Sequence, residues 1–127
     1  IKCLNRSSVD SEKWDLARSI EAAFTLAGLK TEQGGAYPGW TPNPSSAAVE
    51  MLRALYVEKF NEEPKVMACH AGLECGILST NYPNMDMASF GPNIRGAHSP
   101  DECCQISSVS KFWDFYLEAL IRTPKRS

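Results

Sequence analysis

The chain has 127 residues and a formal net charge of −2, and hydrophobic residues make up 43% of it. These values are typical of one soluble globular domain. A balance of 13 basic against 15 acidic residues excludes the strong positive charge that binding to nucleic acid or an anionic membrane surface requires. No apolar run approaches the about 20 residues of a membrane span. We therefore expect neither nucleic acid nor a membrane as a partner.

The cysteine count is odd, at five, and does not fit an even disulfide framework. Reduced thiols and a cytoplasmic location are the simpler interpretation. A structural zinc site is the alternative, with ligands from Cys69, His70 and Cys75, or from His98 and Cys103. No C-x2-C knuckle supports it.

The chain begins with a pattern that predicts a strand, a helix and a weaker strand. Ile1–Asn5 resembles a strand that starts abruptly without an initiating Met, which indicates a segment of a longer protein. Asp10 is a favourable N-cap, and apolar residues at helical spacing predict a helix over 11–27. Gly28 is placed to end it, and residues 29–36 predict the second strand. Such a strand–helix–strand unit implies a parallel pair if both strands share a sheet.

The segment Tyr37-Pro-Gly-Trp-Thr-Pro-Asn-Pro44 is the one clear linker, because its prolines and glycine disfavour regular structure. We place a domain boundary here. Asn43 with Pro44 indicates the start of a second helix, which runs to about Phe60.

A third strand is predicted at residues 65–69, followed by the glycine-containing turn of residues 70–76. Gly72 has no side chain, so its amide can approach a ligand closely. A turn of this kind that leads into a helix N-terminus favours an anion. A plain strand-to-helix turn is the alternative interpretation.

The end of the chain is predicted to hold a fourth strand at residues 85–90 and a final helix. Ser107 or Ser108 is expected to cap this helix and Pro124 to end it. Apolar residues at i, i+3 and i+4 spacing give the helix one apolar face. That face is expected to pack in the core or at an interface.

Two polar groups outside these elements are candidate binding residues. His98 lies in a loop after Phe90 that also contains Asp101 and Glu102. Histidine is the commonest metal ligand, and either acid could fix its tautomer. A solvated surface turn is the alternative, and one histidine cannot complete a catalytic zinc site, which needs three protein ligands. Arg6, at the end of the first strand, could bind a carboxylate bidentately, or be a simple surface arginine.

Three motifs agree in order and spacing with one family: His70-Ala-Gly-Leu-Glu-Cys-Gly76, Met85-Asp-Met-Ala-Ser-Phe-Gly-Pro92 and Arg95-Gly-Ala-His-Ser-Pro-Asp-Glu102. They resemble the C-terminal portion of the aminoacyl-histidine dipeptidases, the cytosolic Xaa-His dipeptidases of the M20 metallopeptidase family. Residues 5–8 and 37–40 fit the same pattern. The resemblance covers nearly the whole chain.

The resemblance implies an α/β fold in two parts. Residues 1–38 would be the lid-type strand–helix–strand that ends a lid and dimerisation domain. Residues 39–127 would be the C-terminal helix–strand–strand–helix part of the catalytic domain. The expected partners are a dipeptide substrate, the missing N-terminal part of the same protein and, in the full-length enzyme, a second copy in a homodimer.

The resemblance also implies roles for individual residues. His98 matches the last ligand of a site that holds two zinc ions, or other divalent metals. Arg6 matches the arginine that grips the C-terminal carboxylate of the substrate, and Gly72 matches a backbone contact to the substrate. The family's H-x-D motif, bridging aspartate and Glu-Glu pair are absent, and the general base belongs to that pair. The chain would therefore supply no catalytic residue and be an inactive part of a metallodipeptidase.

Two alternatives remain open on the sequence. The chain could be a stand-alone module that binds small anions through Arg6 and the Gly72 turn. It could also be an α/β module whose zinc is structural.

Overall fold

A computed structural model of the chain describes residues 1–69 and 74–125. They form two compact units: Ile1–Pro44 with Val66–Met85, and Ser45–Lys65 with Asp86–Ser127. In chain order the helices are α1 (Asp10–Leu26), α2 (Ala47–Phe60), α3 (Glu74–Asn81) and α4 (Ile106–Arg122). Strands β1 (Ile94–Arg95) and β2 (Cys103–Cys104) form an antiparallel two-stranded sheet. The fold is therefore mixed and helix-rich.

The strand–helix arrangement expected for an α/β fold is not confirmed. The segments 1–5, 29–36, 65–69 and 85–90 are all described, and none is a strand. A strand exists only where its backbone groups pair with a neighbour, and these segments have no such ladder in the described residues. The predicted parallel pair is not confirmed either, and the sheet that forms in the described residues is antiparallel and lies at residues 94–104.

The C-terminus of α1 confirms the role predicted for Gly28. Its φ is +76°, the left-handed conformation that glycine adopts without strain. The Gly28 N–H donates to the carbonyl of Thr25, and the Leu29 N–H donates to that of Phe24. These two bonds are the Schellman pattern, which satisfies carbonyls that the helix end leaves unpaired.

The helix starts differ from the predicted caps by one to a few residues. The N-cap of α1 is Val9, because the Asp10 carboxylate is occupied elsewhere in the same unit. The N-cap of α2 is Ser46, whose hydroxyl accepts from the Val49 N–H at 3.0 Å. The N-cap of α4 is Gln105.

The second unit has its core between α2 and α4. Leu55, Phe115 and Ala119 are buried there. Three further residues of α2 pack against this cluster: Leu52, Tyr56 and Phe60. At the far end of the pair, both terminal nitrogens of Arg122 donate to the Glu58 carboxylate, at 2.7 and 2.8 Å. The apolar stripe predicted for the last helix is thus partly core.

In the described parts of the chain, none of the helices has both the length and the apolar character needed to cross a lipid bilayer.

Candidate functional site

The candidate metal ligand His98 lies in a loop closed by the two short strands. Ile94 pairs with Cys104 and Arg95 with Cys103, so residues 96–102 form what we call the His98 loop. Inside it, the Ser99 N–H donates to the carbonyl of Gly96 at 3.0 Å, and the Ser99 hydroxyl donates to the same carbonyl at 2.7 Å. The loop is therefore held by its own hydrogen bonds.

His98 has a left-handed backbone, with φ of 66°. Its N–H donates to Oε2 of Glu102 at 2.9 Å, so the carboxylate holds the backbone of the histidine. The residue is exposed. The sequence predicted that Asp101 or Glu102 would accept a bond from the imidazole, and the structure instead places Glu102 on the backbone. The ring itself is open to solvent.

Residues on both sides of the β1–β2 sheet attach it to α4. The Asn93 N–H donates to the Ser108 hydroxyl at 2.9 Å, and the Gln105 N–H donates to the Asn93 carbonyl at 3.0 Å. Ser108, one of the two predicted caps, lies inside α4, three residues after the N-cap Gln105. The Phe90 ring lies 5.4 Å from that of Phe115, centroid to centroid. The segment that leads to the His98 loop thus contacts the core of its unit through Phe90.

The motif that starts at Met85 contains a residue whose role the sequence did not reveal. The Asp86 carboxylate accepts from the Ala48 N–H at 2.8 Å, at the start of α2. This bond and a second from the Ser46 hydroxyl hold the pKa of Asp86 below the ordinary aspartate value. An aspartate followed by apolar residues gave no sign of a long-range cap.

Arg6 lies in the other unit and is exposed. It lines a cavity of about 620 Å³ that α1 forms with the extended segments before and after it. Within the described parts of the chain, its guanidinium has no hydrogen bond or ion pair. A guanidinium in this state is available to bind a carboxylate. Arg6 and His98 belong to different compact units.

Gly72 and His70 lie outside the described residues. The substrate contact predicted for Gly72, and the zinc ligand considered at His70, therefore stay predictions.

Among the described residues, His98 is the candidate ligand for the expected metal. In residues 1–69 and 74–125, no group of three or more His, Cys, Asp or Glu side chains could hold a metal ion. The exposed imidazole of His98 fits a single position in a zinc site. The described residues thus fit a part of such a site and not the whole of it.

Comparison with known proteins shows similarity to dipeptidases along nearly the entire chain. The chain is 44% identical over 126 residues to the cytosol non-specific dipeptidase of Escherichia coli (strain K12), which covers 99% of this chain and 26% of that protein. It matches the crystal structure of aminoacylhistidine dipeptidase from Vibrio alginolyticus with a TM-score of 0.77 and 40% identity, covering 95% of this chain and 25% of that one. No protein-family model matches.

These similarities confirm the resemblance found in the motifs. The chain is homologous to a segment of the dipeptidases, and it spans about a quarter of the length of the relatives that it matches.

Proposed function

We propose that this chain is the C-terminal part of a zinc-dependent, cytoplasmic dipeptidase of the M20 metallopeptidase family that hydrolyses Xaa-His dipeptides. The observation that carries the proposal is the 44% identity over 126 residues to a cytosol non-specific dipeptidase. An alignment of that extent includes the Arg95–Glu102 motif and the segment around Arg6. A likeness to an aminoacylhistidine dipeptidase in the solved structures supports the Xaa-His preference.

In this proposal His98 supplies one of the ligands of a site for two zinc ions. Its exposed ring and the bond from its backbone to Glu102 suit that role, because a ligand must be both accessible and held. Zinc supplies a Lewis acid and lowers the pKa of a bound water. The remaining ligands and the general base would come from the N-terminal part of the protein.

Arg6 would bind the C-terminal carboxylate of the dipeptide, and the Gly72 amide would contact the substrate backbone. Hydrogen bonds between a guanidinium and a carboxylate are charge-assisted and often bidentate, which favours a substrate with a free C-terminus. Arg6 is exposed, and its guanidinium has no partner among residues 1–69 and 74–125, which supports this role.

The proposal divides the chain between two domains of the parent enzyme. Residues 1–38 would end a lid domain that also forms the homodimer interface, and residues 39–127 would return to the catalytic domain. The chain by itself would then hold too few ligands to retain a catalytic zinc pair and would be inactive.

The test compares the full-length protein with this chain alone. We expect the purified full-length protein to release histidine from Xaa-His dipeptides. It should contain about two zinc ions per chain, as a two-metal site requires. The chain alone should show neither activity nor stoichiometric zinc. Zinc retained by the chain alone would favour a structural zinc module. Tight binding of inorganic phosphate or a dipeptide by the chain alone would favour a stand-alone anion-binding module.

A further inference from the structure

We infer that Lys13 and Gly39 are positioning residues that fix the backbone presenting Arg6. The inference rests on the proposed function, in which Arg6 binds the substrate carboxylate. Four residues form the contact, which we call the clasp: Asp10, Lys13, Tyr37 and Gly39. All of them lie in the same compact unit as Arg6.

Lys13 is the centre of the clasp, although a lysine in a helix is usually solvated. It is 8% exposed. Its ammonium donates to Oδ1 of Asp10 and to the carbonyl oxygen of Tyr37, both at 2.5 Å. The same Asp10 oxygen accepts from the Gly39 N–H at 2.9 Å. The first turn of α1 is thereby joined to the linker through the buried Lys13 ammonium, whose hydrogen bonds replace the water that burial removes, and through the half-exposed Asp10 carboxylate.

The residues on either side of Arg6 are tied to the same turn of α1. The Asn5 amide Nδ2 donates to the carbonyl of Lys13 at 2.8 Å. The Ser7 hydroxyl donates to Oε2 of Glu12 at 3.0 Å. Arg6 is therefore held between two anchored neighbours while its own side chain is unpaired in the described residues.

At Gly39 the linker approaches the backbone of residues 7–8 closely. A Cβ placed on Gly39 would lie 2.5 Å from the carbonyl oxygen of Ser8 and 2.8 Å from its carbonyl carbon. Both are backbone atoms, so a side chain at position 39 would force residues 7–8 to move. The Thr41 hydroxyl also donates to the Ser8 carbonyl, at 3.3 Å. Only glycine allows this approach.

The other side of the linker is equally close to α3. A Cβ on Gly76 would lie 2.8 Å from the carbonyl oxygen of Pro38. The linker is thus confined between the segment around Ser8 and the helix that contains Gly76. A displacement at position 39 has little room to relax away from Arg6, so it should be transmitted to Arg6.

The experiment uses the full-length enzyme and two substrates, an Xaa-His dipeptide and its C-terminal amide, which lacks the carboxylate. We expect Lys13→Met and Gly39→Ala each to raise KM for the dipeptide roughly tenfold, corresponding to about 1.4 kcal/mol. The kcat for the dipeptide and the kcat/KM for the amide should stay within about twofold, because the amide does not engage Arg6. Lys13→Arg should restore most of the discrimination, since it keeps a donor at this position.

Matched controls are available in the same chain. Gly34→Ala adds the same Cβ where no atom lies within 4 Å, and Lys59→Met removes the same charge from an exposed position. Both should leave the preference for the dipeptide over the amide unchanged.

The outcomes separate this inference from the proposed function. If Arg6→Ala reduces the dipeptide preference but the two clasp variants do not, the clasp does not position Arg6. If the clasp variants lower activity on both substrates equally, or the protein fails to fold, their role is only structural and the inference is wrong. If Arg6→Ala itself leaves the preference intact, the carboxylate role of Arg6 in the proposed function fails.

Discussion

The Asp86 carboxylate accepts a hydrogen bond from the backbone N–H of Ala48 at 2.8 Å, across 38 residues of sequence. The first turn of α2 therefore obtains an acceptor from a distant loop in addition to its own cap, Ser46. A negative charge at a helix N-terminus is also favoured by the helix dipole. This bond joins the beginning of α2 to the segment that leads to the His98 loop.

A first prediction concerns Asp86 and pH. Because folding lowers the pKa of this carboxyl, its contribution to stability is present at neutral pH and is lost as the pH falls below about 4. Asp86→Ala should lower the free energy of unfolding of the full-length protein by about 1 kcal/mol at pH 7, and by less at pH 3. Urea unfolding measures both values. An equal loss at the two pH values would contradict the prediction. Asp114→Ala, at an exposed aspartate of α4, should not destabilise.

The second prediction concerns His98 as a metal ligand. His98→Ala in the full-length enzyme should reduce kcat/KM by more than about 100-fold, because even residues that only support a ligand cost 10- to 100-fold when lost. Bound zinc, measured by elemental analysis after dialysis, should fall in parallel. Full activity with full zinc content would show that His98 is not a ligand.

A third prediction separates the backbone role of Glu102 from its charge. The left-handed backbone of His98 costs on the order of 1 kcal/mol, and the bond from its N–H to Glu102 helps to hold it. Glu102→Ala should weaken zinc binding about tenfold, whereas Glu102→Gln keeps an oxygen acceptor and should stay within about threefold. Competition with a zinc chelator gives both affinities. If Gln and Ala weaken binding equally, the charge of Glu102 matters and the hydrogen bond does not.

A fourth prediction concerns a second, exposed apolar face of α4, opposite the buried Phe115 and Ala119. Its exposed side chains follow helical spacing: Ile106, Val109, Trp113, Leu117, Leu120 and Ile121. A contiguous apolar surface of this kind promotes association, so the isolated chain should elute above its mass of 14.0 kDa. Trp113→Glu should reduce that association in light scattering. Ser107→Glu adds the same charge away from this face and should not.

The helices could be predicted from sequence because their signals are local. Apolar spacing placed α1 within one residue of its observed bounds, and Gly28 was correctly identified as its end. The start of α2 was less accurate, because Asn43, Pro44 and Ser46 are all favourable near a helix start and the sequence does not rank them.

The strands could not be predicted because pairing is not local. Val66 and Met67 belong to a short apolar run that predicted a strand, yet they are exposed and do not form one in the structure. The pairs that form, Ile94 with Cys104 and Arg95 with Cys103, are too short to show a period of two. Sequence reasoning therefore described this hairpin as loop.

The roles of the candidate site residues stay predictions, but their exposure agrees with those roles. His98 and Arg6 are both exposed, as side chains that bind ligands must be. Lys13 was missed, because nothing in its neighbours indicates that a lysine on a polar helix position is buried. Its partners at Tyr37 and, through Asp10, at Gly39 lie far along the chain.

The two-residue strands also determine how the His98 loop would respond to insertions and deletions. Because residues 94–95 pair with residues 103–104 at the base of the loop, a residue added between 96 and 102 must alter where the imidazole lies. A residue added outside residues 94–104, in the turn after α2 for example, leaves the length of the loop unchanged. The spacing between the two strands, together with the attachment of Asn93 to α4, is therefore what fixes the position of the histidine.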